Sequence, residues 1–306
     1  MNLPDGIILS ISGKSLTLKE KKFFRKTNPF GFVLFSRNYS NKEQIIRLIK
    51  ELKSITKNKL VKIFVDQEGG RVQRFNKNGF TIYPPQNIFQ KIYVNEKKKA
   101  KKLSYLLSYL LASELKDVGI DVNFSPVCDL HFDFGDSIIG DRSFGSDPLM
   151  VKELSLQYCN GFRASGILPV LKHFPGHGRS LVDTHKKSST INTNINILWK
   201  NDFIPFKNLK NQSLMMLAHI IFKEIDDKVA TYSAKINKLI RNKFLFKGLI
   251  ITDDISMKAL DDDLVDVTKN SYDAGCDVIL HCNGEIREMK RIYPHTRIMK
   301  KKYYDF

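Results

Sequence analysis

Eight short apolar runs punctuate the chain, and helical patterns lie between most of them. The runs occupy residues 6–10 (GIILS), 31–35 (GFVLF), 61–65 (VKIFV), 122–124 (VNF), 168–171 (LPVL), 214–217 (LMML), 249–251 (LII) and 278–280 (VIL). Such a run, with little polar alternation, reads as a strand covered on both faces, the condition of strands in a parallel sheet. Residues 41–56 open on a capping Asn41 and set Ile45, Ile46, Leu48, Ile49 and Leu52 to one side. Leu103, Leu106, Leu107, Leu110 and Leu111 recur at helical spacing and predict a buried stripe. Further helices are expected over 148–164, stopped by Gly166, and over 234–244 and 263–274. Eight strands alternating with helices predict an α/β fold, a single (β/α)8 TIM barrel. A doubly wound open sheet is the alternative. No linker rich in Pro, Gly or Ser divides the 306 residues, so 1–306 are expected to form one catalytic domain.

Composition removes several function classes. The 50 Lys and Arg against 32 Asp and Glu give a net charge of +18. That charge permits an anionic partner. Yet the lysine runs at 98–102, 186–187 and 300–302 read more simply as solvated surface, and no nucleic-acid-binding motif accompanies them. No nucleic-acid partner is therefore expected. Cys128, Cys159, Cys276 and Cys282 form no C-x-x-C pair and suit a reducing compartment. The first residues carry no basic stretch ahead of an apolar core, so they do not read as a signal peptide, and a cytoplasmic location is expected. No run is long enough to predict a membrane span.

In a barrel of this kind the chemistry sits where the strands end. Asp66 follows the third run, Asp129 the fourth, Lys172 and His173 the fifth, His219 the sixth, Asp253 and Asp254 the seventh, and His281 the eighth. So many polar groups on one rim point to an enzyme. In KHFPGHG, Pro175, Gly176 and Gly178 force an irregular turn, so His173 and His177 do not share a helical face. A zinc site there with Asp183 and His185, or a Schiff base on Lys172, is the weaker reading. Residues 179–190 (RSLVDTHKKSST) read as a long polar loop without strand or helix. Within it Asp183 stands two residues from His185, where a carboxylate orients an imidazole and tunes its pKa. A surface turn that happens to hold both is the bland alternative. Continued strand alternation would turn Asp253 into the barrel mouth and leave Asp254 to cap the next helix.

Together DQEGGRVQR, NFSPVCDL, DRSFG, KHFPGHG, the D-T-H triplet and ITDDISM resemble the family 3 glycoside hydrolases, and most of all the bacterial single-domain β-N-acetylhexosaminidases of cell-wall recycling. The segments occur in the family's order from about Gly6 to Gly284. The resemblance implies a barrel with no cofactor and no metal. It implies removal of terminal β-linked N-acetylglucosamine from peptidoglycan fragments with retention of configuration. It makes Asp253 the nucleophile, His185 the acid/base and Asp183 its partner. It makes Asp66, Arg74, Arg142, Lys172 and His173 the residues that bind the sugar. A histidine in place of one of the usual two carboxylates departs from the general pattern, but an imidazole titrating near neutrality suits both proton transfers.

The chain also departs from the family pattern. Arg179 stands where an acidic residue is common, Thr184 where Ser is common, and the short basic end after Gly284 is expected to trim an outer helix. Arg179, Lys186 and Lys187 are expected to favour an anionic aglycone such as a muramyl peptide. The expected partner is the amino-sugar or muropeptide substrate, and the expected state is a monomer. Phosphorolysis to a sugar 1-phosphate is the close alternative. A broader β-glucosidase fits less well, since that subgroup usually has further domains. An anion-binding barrel without activity is the alternative from another class.

Overall fold

The computed structural model describes residues 3–184, 188–207, 212–260 and 262–301. All of the apolar runs form strands: β1 (Asp5–Ser10), β2 (Pro29–Leu34), β3 (Lys62–Val65), β4 (Val122–Asn123), β5 (Leu168–Phe174), β6 (Leu214–Leu217), β7 (Leu249–Asp254) and β8 (Val278–Leu280). Each pairs in parallel with its neighbour in the chain, and the ring closes where β8 meets β1 at Ile7 opposite Ile279. The closure decides for the (β/α)8 barrel against the open sheet. The helices are α1 (Leu18–Phe24), α2 (Lys42–Ile55), α3 (Ile88–Asn95), α4 (Lys97–Asp117), α5 (Pro148–Ala164), α6 (Ile195–Lys200), α7 (Ala234–Asn242), α8 (Leu264–Ala274) and α9 (Ile286–Ile292). α9 has seven residues. Among the described residues no helix is long and apolar enough to cross a membrane.

Burial follows the strand period. Phe64, Val170, Leu214, Leu249, Ile251 and Val278 fill the barrel interior. Ile63, Val65 and Ile279 turn outward against one part of the helical layer, and Leu171, Met215 and Ile250 against another. Residues on alternate strand positions thus face two different apolar environments, which is why the runs lack polar alternation.

Three expectations need correction. In α4 the buried positions are Ala100, Ser104, Ser108, Leu111, Ala112 and Leu115, whereas Leu106 is 40% and Leu110 58% exposed. The reason is the close approach of α5. A Cβ added at Gly161 would fall 2.0 Å from Ser108 Oγ, and Ser104 Oγ donates to the Leu154 carbonyl at 3.0 Å. Small residues win that face because they fit it, and two leucines are left outside. The second correction concerns the polar loop. Ser189–Ile191 is a short strand that pairs in parallel with Ile220–Phe222. Third, Asp254 caps no helix. It accepts from Ser256 N at 3.0 Å and Cys282 N at 3.0 Å, while Asp263 caps α8.

Candidate active site

A cavity of about 480 Å³ opens at the C-terminal ends of the strands. It is lined by Asp66, Arg74, Arg142, Lys172, His173 and Asp253 among others. A volume of this order suits one sugar-sized group. Six residues named from the sequence therefore meet in one place, although they come from three strand ends and two loops.

Local chain geometry explains how they arrive. β3 ends at Val65, and the chain then forms a hairpin of Gln67–Gly69 and Val72–Gln73. Gly69 has φ +99° and a Cβ there would lie 2.4 Å from the Pro84 carbonyl oxygen, so the turn requires glycine. The Gln67 side chain accepts from Arg74 N at 2.8 Å and Phe75 N at 3.0 Å, which folds Arg74 back over Asp66. Arg74 Nη2 donates to Asp66 at 2.7 Å, and Lys172 Nζ, from β5, donates to the other Asp66 oxygen at 2.7 Å. Burial by itself would raise the Asp66 pKa. The charges of Lys172, Arg74 and Arg142 outweigh it and hold the carboxyl well below the usual carboxylate range. An ionised Asp66 offers lone pairs to sugar hydroxyls, and the cations around it offer donors.

His173 sits beside Lys172. Its Nδ1 donates to Asp129 at 2.7 Å, which leaves Nε2 for the cavity the ring lines. Asp129 is fully buried and also accepts from the backbone N–H of His173 and of His177, at 3.1 and 2.6 Å. Burial alone would raise its pKa, but the facing His173 and His177 rings and these bonds lower it. At Gly178 a Cβ would lie 1.8 Å from the Leu130 carbonyl oxygen. The KHFPGHG turn can thus lie flat on the loop after β4 only with glycine there.

On β7 the alternation runs Leu249 and Ile251 inward, Ile250 outward, and Asp253 inward to the cavity. The backbone N–H of Asp254 donates to Asp253 Oδ1 at 2.8 Å. His219 braces this strand end: Nε2 lies 3.0 Å from the Asp254 carbonyl, which only accepts, so Nε2 carries the proton. Its Nδ1 then receives the Thr231 hydroxyl proton at 2.7 Å. Burial pulls the His219 pKa down, against the opposing charges of Asp253 and Asp254. A carboxylate thus faces the Asp66–Arg74–Lys172–Arg142 charge cluster across one cavity.

The profile of glycosyl hydrolase family 3, N-terminal domain, matches residues 10–299. The chain belongs to glycoside hydrolase family 3. A β-hexosaminidase of Tolumonas auensis is 36% identical, over 91% of this chain and 83% of its own length. Another, of Hydrogenovibrio crunogenus, is 37% identical over 93% of this chain and 80% of its own. NagZ from Neisseria gonorrhoeae, solved in complex with N-trifluoroacetyl-D-glucosamine, superposes with a TM-score of 0.90 at 31% identity, covering 98% of this chain and 88% of that one.

Within this family 3 barrel several expected residues take other places. His281 turns out of the barrel, lies outside the cavity lining, and contacts Glu288 at 2.9 Å. His219, as above, is a brace and lies outside the lining too. Arg179 lies outside the cavity lining. Its Nε lies 2.9 Å from both oxygens of Asp202, and its guanidinium covers the Phe132 ring at 4.2 Å. Asp202 is buried, so the positive charge of Arg179 is spent inside the protein. Asp183 is half-buried at the loop edge, next to Thr184, which lines the cavity. His185, Lys186 and Lys187 lie outside the described residues.

Sequence reasoning passed over Glu68. It is 1% exposed, and its Oε1 accepts from Lys172 Nζ at 2.5 Å and from Arg142 Nη2 at 2.9 Å, while Oε2 accepts from Arg142 Nε at 2.9 Å. The carboxylate clamps the two cations so that each keeps little freedom. Burial opposes the Arg142 charge, and Glu68, Asp66 and Asp129 more than restore it, keeping its pKa above the ordinary value. The signal was present in DQEGG as a second carboxylate two residues beyond Asp66, but nothing in the motif says which one is buried.

Proposed function

We propose that this family 3 enzyme is a retaining exo-β-N-acetylhexosaminidase that releases terminal β-linked N-acetylglucosamine from peptidoglycan fragments of the GlcNAc-anhydro-muramyl-peptide kind. The observation that carries the reading is Asp253, a carboxylate facing the Asp66–Lys172–Arg74–Arg142 cluster across one cavity. The names of the similar proteins support the amino-sugar part of it.

In this reading Asp66 accepts two sugar hydroxyl protons, and Lys172, Arg142 and Arg74 donate to ring substituents. Such buried polar partners discriminate against the wrong hydroxyl stereochemistry, because a mismatch leaves them unpaired. Asp253 attacks the anomeric carbon. As that bond forms, the glycosidic bond breaks, and protonated His185 gives its proton to the leaving oxygen. Asp183 orients the ring. In the second half-reaction neutral His185 takes a proton from water as the water oxygen displaces Asp253. The product keeps the β configuration and the enzyme returns to its starting state. The four unpaired cysteines suit the expected cytoplasmic setting.

The test uses an aryl N-acetyl-β-glucosaminide and a GlcNAc-anhydro-muramyl peptide, with the first-formed anomer followed by NMR. β-N-acetylglucosamine should appear first. Asp253→Ala should lose at least 10³-fold in kcat/KM by order of magnitude, and His185→Ala should lose less with an activated leaving group. First formation of the α anomer, or an active Asp253→Ala variant, would sink the mechanism. Sugar 1-phosphate formed on adding phosphate would replace hydrolysis by phosphorolysis.

A further inference from the structure

We infer that Thr184 and His177 are positioning residues that pin the loop at Asp183–Thr184 to the sugar-binding His173 through the shared carboxylate of Asp129. The inference rests on the acid/base reading of that loop.

Four observations carry it. Thr184 is 1% exposed although Leu181, three residues before it, is 68% exposed. A buried hydroxyl in a surface loop is held there by something, and the partner is His177, whose Nε2 lies 2.9 Å from Thr184 Oγ1. His177 is in turn fixed by its backbone N–H on Asp129, the same carboxylate that holds the ring and backbone of His173. The loop is also tied at its base, where Ser180 Oγ and Ser189 Oγ meet at 2.7 Å. One buried carboxylate therefore connects the residue that contacts the sugar with the residue that holds the loop.

The proton arrangement follows from what is missing. His177 Nδ1 is buried and has no hydrogen-bond partner among the described residues. Orphaned buried N–H groups are rarer than orphaned acceptors, so the favoured tautomer carries its proton on Nε2. Nε2–H then donates to Thr184 Oγ1, and the Thr184 hydroxyl proton remains free to point into the cavity that Thr184 lines. Burial, with the His173 ring adding to it, pulls the His177 pKa down to about 4, so this neutral arrangement persists across the working range.

A pin that only shaped the fold would affect all substrates alike. One that positions the proton donor matters most when the leaving group needs a proton. The experiment compares wild type, Thr184→Val, Thr184→Ser, His177→Asn and the Thr184→Val/His177→Asn pair on two N-acetyl-β-glucosaminides. One has a dinitrophenyl leaving group and the other an alkyl one. Thr184→Val should lose about tenfold or more in kcat with the alkyl glycoside and under about threefold with the activated one. Thr184→Ser, which keeps the hydroxyl, should stay near wild type on both. His177→Asn should repeat the split even if Thr184→Val folds poorly, and the double variant should lose no more than the worse single one. Equal losses on the two substrates, or none, would overturn the pin while leaving the glycosidase reading intact. An inactive wild type would overturn both.

Discussion

Replacing Glu68 by Gln should injure this enzyme without touching a group that meets the substrate. The isostere keeps volume, so the effect isolates charge and hydrogen bonding. Glu68 Oε1 takes two donors, Lys172 Nζ at 2.5 Å and Arg142 Nη2 at 2.9 Å, and Oε2 takes one, Arg142 Nε at 2.9 Å. A glutamine would keep its oxygen where two donors converge. Its NH2 would then face the Arg142 Nε–H, donor against donor. Removing one partner of a buried ion cluster costs about 3 to 5 kcal/mol. Lys172 retains Asp66 at 2.7 Å, so the lower end applies. Roughly 3 kcal/mol corresponds to a melting temperature lower by about 5 °C in a chain of this size. Catalysis should suffer beyond stability, since Arg142 and Lys172 lose their fixed aim, and a misplacement of about 1 Å costs on the order of 10²-fold. The assay is thermal unfolding beside kcat/KM on an aryl N-acetyl-β-glucosaminide well below the melting temperature. A variant that melts within about 1 °C of wild type and keeps kcat/KM within about threefold would refute the clamp.

Two further outcomes follow from buried charges. Arg179→Ala should destabilise the fold by about 3 kcal/mol, because Asp202, whose pKa burial already raises against the pull of Arg179, loses its partner. The ratio of muropeptide to neutral aryl-glycoside turnover should stay unchanged, and urea unfolding with that ratio checks both; a selective loss on muropeptide would restore Arg179 to the aglycone site. Stability should also fall as pH drops from 6.5 toward 4. The unfolded His177 gains a proton in that window while the folded ring, with its pKa near 4, does not, a difference worth up to about 3 kcal/mol. His219, also lowered, acts in the same direction. Asp66 and Asp129 have lowered folded pKa values, so their contribution is present above the unfolded carboxylate value and fades only below it. Melting temperature against pH for wild type and His177→Asn should show a shallower acid slope in the variant, and parallel slopes would contradict the assignment.

What was legible in the sequence was whatever a local period or a local turn encodes. Each apolar run became a barrel strand, because a strand covered on both faces must be apolar along its length, and that constraint is written in consecutive residues. Asp253 reached the cavity for the same reason, two steps beyond Ile251 on one face of β7. The period failed where shape outranked polarity. Ser104 and Ser108 lie inside and Leu110 outside, because the α5 backbone comes too near α4 for a large side chain. It failed again where the partner was remote. A charge is visible in a motif, but the group that neutralises it is not. Asp202 stands 23 residues from Arg179, and Glu68 stands 74 residues from Arg142. Either arginine, read alone, is a cation available to an anionic ligand. The fold gives both to buried carboxylates, with opposite consequences. Arg179 is held away from the cavity, whereas Arg142 is held in its wall. The same interaction therefore keeps one cation out of the cavity and fixes the other in its wall. Only the direction in which each carboxylate pulls decides between them, and that direction is set by which loop the barrel brings alongside.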